Sequence, residues 1–193
     1  MSTQLRRAGW PVLAALLLAG CAAPPLRLYT LGEPPLSEDA KSLPRGGPVI
    51  EVDRLTLPNA LDSEDILLTD GNVVERSRTG RWVSRLSLLA TGLVTSQLAR
   101  RAPDALVTDQ WPIKAPDYRV MIGIDRLDVA RKGSAVMDAS WQIFARDRGP
   151  ESRSLRGHAQ IKLTGATATD RDIVRLETAL FDRLADSIRL PRS

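Results

Sequence analysis

The sequence reads as one α+β domain: a mainly antiparallel sheet with two amphipathic helices packed on one face, preceded by an N-terminal leader and a Pro-rich linker. Three observations carry this reading. From residue 118 onward, three runs alternate apolar and polar residues with turns between them, the pattern of an antiparallel meander with one wet face. Two other stretches, one from Trp82 and one after Thr169, repeat their apolar residues at helical spacing. The roughly 145 residues beyond position 48 suffice for one core of ordinary domain size, and no internal repeat divides them.

Residues 1–20 have the order of a secretion signal. Arg6 and Arg7 give a positive start, Trp10 to Leu18 is an apolar run interrupted by Pro11, and small residues follow. The run falls well short of the roughly 20 residues that span a bilayer. Leu18-Ala19-Gly20-Cys21 closes it and contains the single cysteine. This tetrapeptide resembles the bacterial lipobox, which implies cleavage between Gly20 and Cys21 and lipid on the Cys21 sulfur and its new amino group. Diacylglycerol plus an N-acyl chain exceeds the two hydrophobic signals that stable anchoring needs. Ala22 stands where an aspartate favours inner-membrane retention in well-studied sorting systems. The resemblance therefore implies outer-membrane delivery, with the inner membrane as the alternative. The competing reading of the same residues is an N-terminal helix with a buried cysteine.

Residues 1–20 hold two arginines and no acid, so the mature chain has 25 basic and 23 acidic residues, and the net charge falls from +4 to about +2. That weakens the case for nucleic-acid binding. Arginine outnumbers lysine 23 to 4, which reads first as genomic base composition. With Cys21 acylated no thiol remains, which excludes a disulfide or a thiolate metal site. Residues 22–48 hold six of the thirteen prolines plus Gly46-Gly47 and read as an extended spacer that keeps the domain away from the lipid. Within it, Leu28-Tyr29-Thr30-Leu31 is an apolar island able to pack on the domain.

The folded part runs over 49–191. Val49 to Leu57 reads as a strand ended by Pro58-Asn59. Ile66-Leu67-Leu68 and Val73 to Arg76 read as a hairpin across Asp70-Gly71-Asn72. From Trp82 the period becomes helical through Leu86, Leu89, Leu93 and Val94, stopping at Arg100-Arg101 before Pro103. Ala105 to Thr108 is a short strand. Tyr118, Val120, Ile122 and Ile124 alternate, and the phase then slips to Leu127 and Val129, which predicts a bulge. After a turn at Lys132-Gly133-Ser134, Ala135, Met137, Ala139, Trp141 and Ile143 share one face. Asp147 to Pro150 turns again, and Leu155 to Leu163 alternate against His158, Gln160 and Lys162. Thr169-Asp170 caps a last helix whose stripe is Ile173, Leu176, Leu180, Leu184 and Ile188, with Pro191 beyond it.

Catalytic motifs are absent from this sequence: no G-x-S-x-G, H-E-x-x-H, G-x-G-x-x-G or phosphate loop occurs. His158 is the single imidazole. A tethered hydrolase would need it with Ser134, Ser140, Ser152 or Ser154 and an acid such as Asp138 or Asp128. It falls on the polar face of its strand, the position of a solvated structural histidine. One histidine and no thiol argue against zinc. Asp62, Glu64 and Asp65 form an acidic cluster that reads as a solvated loop before it reads as a cation site. Trp82 and Trp141 read as core anchors, the alternative being that one joins an exposed apolar patch. Leu57 to Leu61 is either a tight strand exit or a docking loop.

In order, Leu18-Ala19-Gly20-Cys21, Tyr29-Thr30-Leu31, Ile50-x-Val52-x-x-Leu55-x-x-Pro58 with Ala60-Leu61, and Arg81-Trp82 before a leucine-rich helix carry a resemblance. Tyr118 with its alternating strand, the meander and the closing helix complete it. The chain resembles the ABC-type transport auxiliary lipoproteins, the PqiC/YmbA-like family, over nearly the whole mature length. It departs from the family pattern in lacking an aromatic between Val74 and Arg81, and in placing Ile66-Leu67-Leu68 where a more polar strand is usual. The resemblance implies a non-enzymatic subunit without cofactor beyond the lipid on Cys21, facing the periplasm. Its implied partners are an MCE-domain protein and ABC or PqiA-like membrane subunits that move lipids between the two membranes, docked or anchored at the outer one. A homo-oligomer is compatible with such partners. The alternative role is a structural or assembly lipoprotein that binds an outer-membrane barrel or peptidoglycan.

Overall fold

The computed structural model describes residues 25–32, 46–111, 115–146 and 154–191. The predicted signal, the Gly20–Cys21 cleavage site, residues 33–45 of the tether and the turn at Asp147–Pro150 lie outside the described residues. Within them the order is β1 (Arg27–Tyr29), β2 (Val49–Val52), β3 (Asp65–Asp70), β4 (Val73–Trp82), α1 (Leu86–Arg101), β5 (Leu106–Thr108), β6 (Tyr118–Val129), β7 (Ser134–Ala145), β8 (Leu155–Thr164) and α2 (Asp170–Ser187).

The class is α+β, but the strands divide between two sheets rather than one. Five form a sheet in the order β5-β2-β6-β7-β8 and three form a second in the order β1-β4-β3. The reason lies in β2, which pairs in parallel with β5 on one side and β6 on the other. Both its edges are taken, so the β3–β4 hairpin that follows it has no edge there to join. The hairpin turns at Gly71-Asn72, with Gly71 at φ 62° in the left-handed backbone that such two-residue turns require. β4 then accepts β1 in parallel, with Arg27, Leu28 and Tyr29 opposite Gly80, Arg81 and Trp82.

β6, β7 and β8 make the predicted meander, and the register shift between Ile124 and Arg126 is the predicted bulge. On its inner face Trp141 lies across Gly157: a Cβ on that glycine would fall 2.2 Å from the indole Cζ2. β2 is shorter than its apolar run, but Thr56 makes a further parallel bridge to Gly123. The chain then leaves through a turn in which Leu61 and Asp62 N–H donate to the Pro58 carbonyl, with Leu57 and Leu61 packed on the core. Of the two readings of this segment, the tight exit is the one observed.

Trp82 ends β4; it does not open the helix. Its N–H donates to the Glu64 carbonyl and that of Val83 to Tyr29, so α1 starts four residues later at Leu86. The spacing of Trp82 to Leu86 mimics a helical turn, which is why the pattern misplaces it. α2 begins as predicted, in a capping box where Thr169 and Asp172 satisfy each other's backbone N–H. α2 packs on β7 and β8, on the hairpin and on α1, while α1 also covers β5. Both sheets and both helices thus share one core, in which Trp82, Trp141, Phe181, Leu180 and Leu184 are buried.

Within that core Glu177 of α2 is 4% exposed and its Oε2 has no partner among the described residues. It lines a cavity of about 40 Å³ with Leu61, Trp82, Leu86, Leu127 and Val129. Burial pushes its carboxyl up to about 8. Asp65 and Asp128 line the same cavity, and both are paired with arginines. The buried group is therefore neutral at pH 7.

Two outcomes are expected. Gly157→Val drives a side chain into Trp141 and should cost about 2 kcal/mol or more of stability; a urea midpoint equal to wild type would contradict the packing. For Glu177 the native pKa exceeds the unfolded one, so its contribution is complete below about pH 4.5 and is lost as pH rises to about 8. That loss is on the order of 4 kcal/mol. Glu177→Gln should match wild type near pH 4.5 and be the more stable protein at pH 8.5; parallel stability curves across that range would rule the account out.

Candidate functional site

Three of the residues proposed for hydrolysis, His158, Ser140 and Asp138, lie on the solvent face of the large sheet. His158 stands directly opposite Ser140, with Asp138 one position along in register with Gln160. His158 and Ser140 are exposed, and no hydrogen bond joins them. The row thus brings the residue types together without the oriented base and buried acid that activate a serine. Asp128 lies apart, accepting from Thr69 Oγ1 and pairing with Arg126. Ser134 pairs with Thr164 at the far end of β7, Ser154 Oγ accepts from Arg156 Nε, and Ser152 lies outside the described residues.

The acidic cluster is split into structural roles. Asp62 Oδ1 accepts the Ser87 N–H at 3.1 Å, supplying from a distant loop the cap that Arg85 cannot give α1. Asp62 also faces Arg54 and Arg85. Burial alone would raise its carboxyl pKa, but hydrogen bonds from Ser87 and the charges of Arg54 and Arg85 outweigh that and hold it below its ordinary range. Asp65 pairs with Arg76 and Arg81. Among the described residues no three acids or histidines converge on a point suited to a metal.

A different surface has the character of a site. At one end of the solvent face of the large sheet, Met121 of β6 and Phe144 of β7 point outward beside Ala115, Pro116, Ala145 and Arg146. With Trp111 from the β5–β6 connection they line an open groove of about 700 Å³. Trp111 is 93% exposed. Of its two arginines, Arg146 has no acid partner among the described residues, and Arg119 is held by acids. Arg119 donates to Glu51 Oε2 at 3.1 Å from Nε and 2.9 Å from Nη2, and lies 3.4 Å from Asp53. The Glu51 hydrogen bond, with the Asp53 and Glu51 charges, raises the guanidinium pKa. Burial holds Asp53 above its ordinary range, Arg119 drawing it back and Glu51 adding to it.

A groove with aromatic and thioether walls beside arginine suits protein docking. Sequence reasoning passed over it by asking whether Trp82 or Trp141 joins an exposed patch; both are buried, and among the described residues Trp111 is the exposed indole. The legible signal was Met121 and Phe144, which occupy the wet phase of strands that otherwise alternate. A second cleft of about 560 Å³ between the hairpin and the start of α2 is polar, and its Arg76 and Arg131 are engaged by Asp65 and Glu75.

The model of one family, the ABC-type transport auxiliary lipoprotein component, matches residues 29–189. Among solved structures, an uncharacterised protein superposes with a TM-score of 0.67 at 12% identity, over 84% of this chain and 95% of its own. A DUF330-family protein from Xanthomonas campestris does so with a TM-score of 0.57 at 10% identity, over 85% of this chain and 89% of its own. At these identities the likeness is one of fold. No curated protein sequence matches significantly.

Asp62→Ala uncaps α1 and removes the acid facing Arg54 and Arg85, and should lower stability by about 1–2 kcal/mol. Trp111→Ala should change it by less than about 0.5 kcal/mol. Urea titrations of the two variants test the assignment; a Trp111 variant as costly as the Asp62 one would make that indole a packing group.

Proposed function

The chain belongs to the ABC-type transport auxiliary lipoprotein family, and on that premise we propose that it is the periplasm-facing lipoprotein subunit of an MCE/ABC-type, PqiABC-like lipid transport system. Lipid on Cys21 holds it at a membrane, the outer one by the Ala22 rule, and the folded domain docks the conduit. The observation that carries the docking role is the Trp111–Met121–Phe144 groove: three large apolar side chains left in water around a self-neutralised arginine. Aromatic residues, methionine and arginine are the types enriched where protein interfaces concentrate their energy. The partner surface that fits is apolar and carries little net charge. No cofactor enters this role, and the exposed His158 row is not used.

The test is a photo-crosslinking amino acid at position 111 in the acylated protein, irradiated in native envelopes, with mass spectrometry of the adducts. An adduct with an MCE-domain subunit is expected. Met121→Asp should reduce that adduct at least tenfold without altering thermal unfolding. An adduct with an outer-membrane barrel instead would transfer the protein to the structural alternative.

A further inference from the structure

The first eight described residues do not behave as a spacer. β1 is zipped to β4 through three register pairs, Val83 N–H donates to the Tyr29 carbonyl at 2.8 Å, and Leu31 is buried in the core. The folded body therefore begins at Arg27. Five residues separate it from Cys21. Covalent geometry limits six residue steps to about 20 Å, so whatever Cys21 is fastened to lies within that distance of β1.

The surface at this point is apolar and exposed. Leu26, Leu28 and Val83 are 57%, 64% and 54% exposed. Leu26 and Leu28 are two apart in extended chain and share a side. Val83 lies two beyond Arg81, the register partner of Leu28, and so flanks the same side. By the same alternation Arg27 faces the other side with Tyr29, and Arg81, on the side of Leu28, pairs with Asp65. Isolated exposed apolar side chains need no explanation, but three on one patch at the root of a lipid anchor do.

We infer that this patch of Leu26, Leu28 and Val83 rests on the lipid surface of the membrane that holds the anchor. The inference rests on the lipidation of Cys21 proposed above. The short reach selects the occupant: a bilayer is the one apolar surface that lies within about 20 Å of an acylated Cys21 in every molecule. Apolar side chains at the root of an acyl anchor suit the boundary between acyl chains and headgroups. The domain is then oriented, with β1 and the adjoining end of the small sheet down, and not held off by a flexible spacer.

The experiment uses the full acylated chain, reconstituted in vesicles of phosphatidylethanolamine and phosphatidylglycerol. An environment-sensitive fluorophore is placed at position 28 by Leu28→Cys or at 83 by Val83→Cys, with His158→Cys on β8 as the remote control. Flotation of the vesicles reports the anchor. Blue-shifted emission, quenched severalfold by spin-labelled lipid at 28 and 83 but not at 158, is the expected result. Leu26→Ser with Leu28→Ser should abolish the quenching at 83 while flotation persists. Protein that floats but shows water-exposed emission at 28 would overturn the inference and leave the anchor standing. A blue shift that lipid quenchers do not touch would show a protein or a second copy covering the patch, and would overturn it too. Failure to float would remove the lipidation premise itself.

Discussion

The burial of Trp82 is the constraint on which the arrangement turns. This indole closes β4, sits in the common core and fixes three chain segments by its backbone surroundings: the Glu64 loop, β1 through Val83, and the start of α1. Because β4 must end there, the 61–65 loop is brought beside the helix start, where Ser63 carbonyl accepts from Leu86 and Asp62 accepts from Ser87. The two sheets are joined less by strand pairing than by this junction and by α2, which spans both. An apolar anchor of this size stabilises by burial that no single polar contact around it matches.

The meander, its bulge and the Thr169 cap of α2 were legible because each is a local pattern: period two, a phase slip, a Thr-Asp pair before an apolar stripe of helical period. What escaped was whatever depends on partners distant in sequence. Periodicity says which side of a strand is wet but not which edge is free, so one sheet was expected where β2, with both edges filled, forces two. Trp82 fits a helical spacing with Leu86 and a strand end equally well, and the tertiary bonds of Glu64 and Tyr29 decide between them. Asp62 was read as loop acidity because its role as the cap of α1 joins residues 25 positions apart. The groove was half visible, in Met121 and Phe144 at wet positions; Trp111 carries no local pattern at all.

The candidate docking groove and the patch proposed to face lipid belong to different sheets, one on the large sheet and one at β1 of the small one. A subunit that engages a membrane and a protein together needs two such surfaces that do not compete. The common core makes their relative orientation a property of the fold and not of a linker.

The parallel setting of β2 has a consequence for the order in which this molecule comes into being. Its neighbours lie at Leu106–Thr108 and Tyr118–Val120, more than fifty residues away, so no short loop can prepare its pairing. Closure of loops this long is entropically slow, and sheets that depend on it form late. A chain threaded N-terminus first through a membrane pore would have to deliver β6 before β2 acquires its second neighbour. In any chain delivered N-terminus first, the large sheet is therefore completed only once the second half is present.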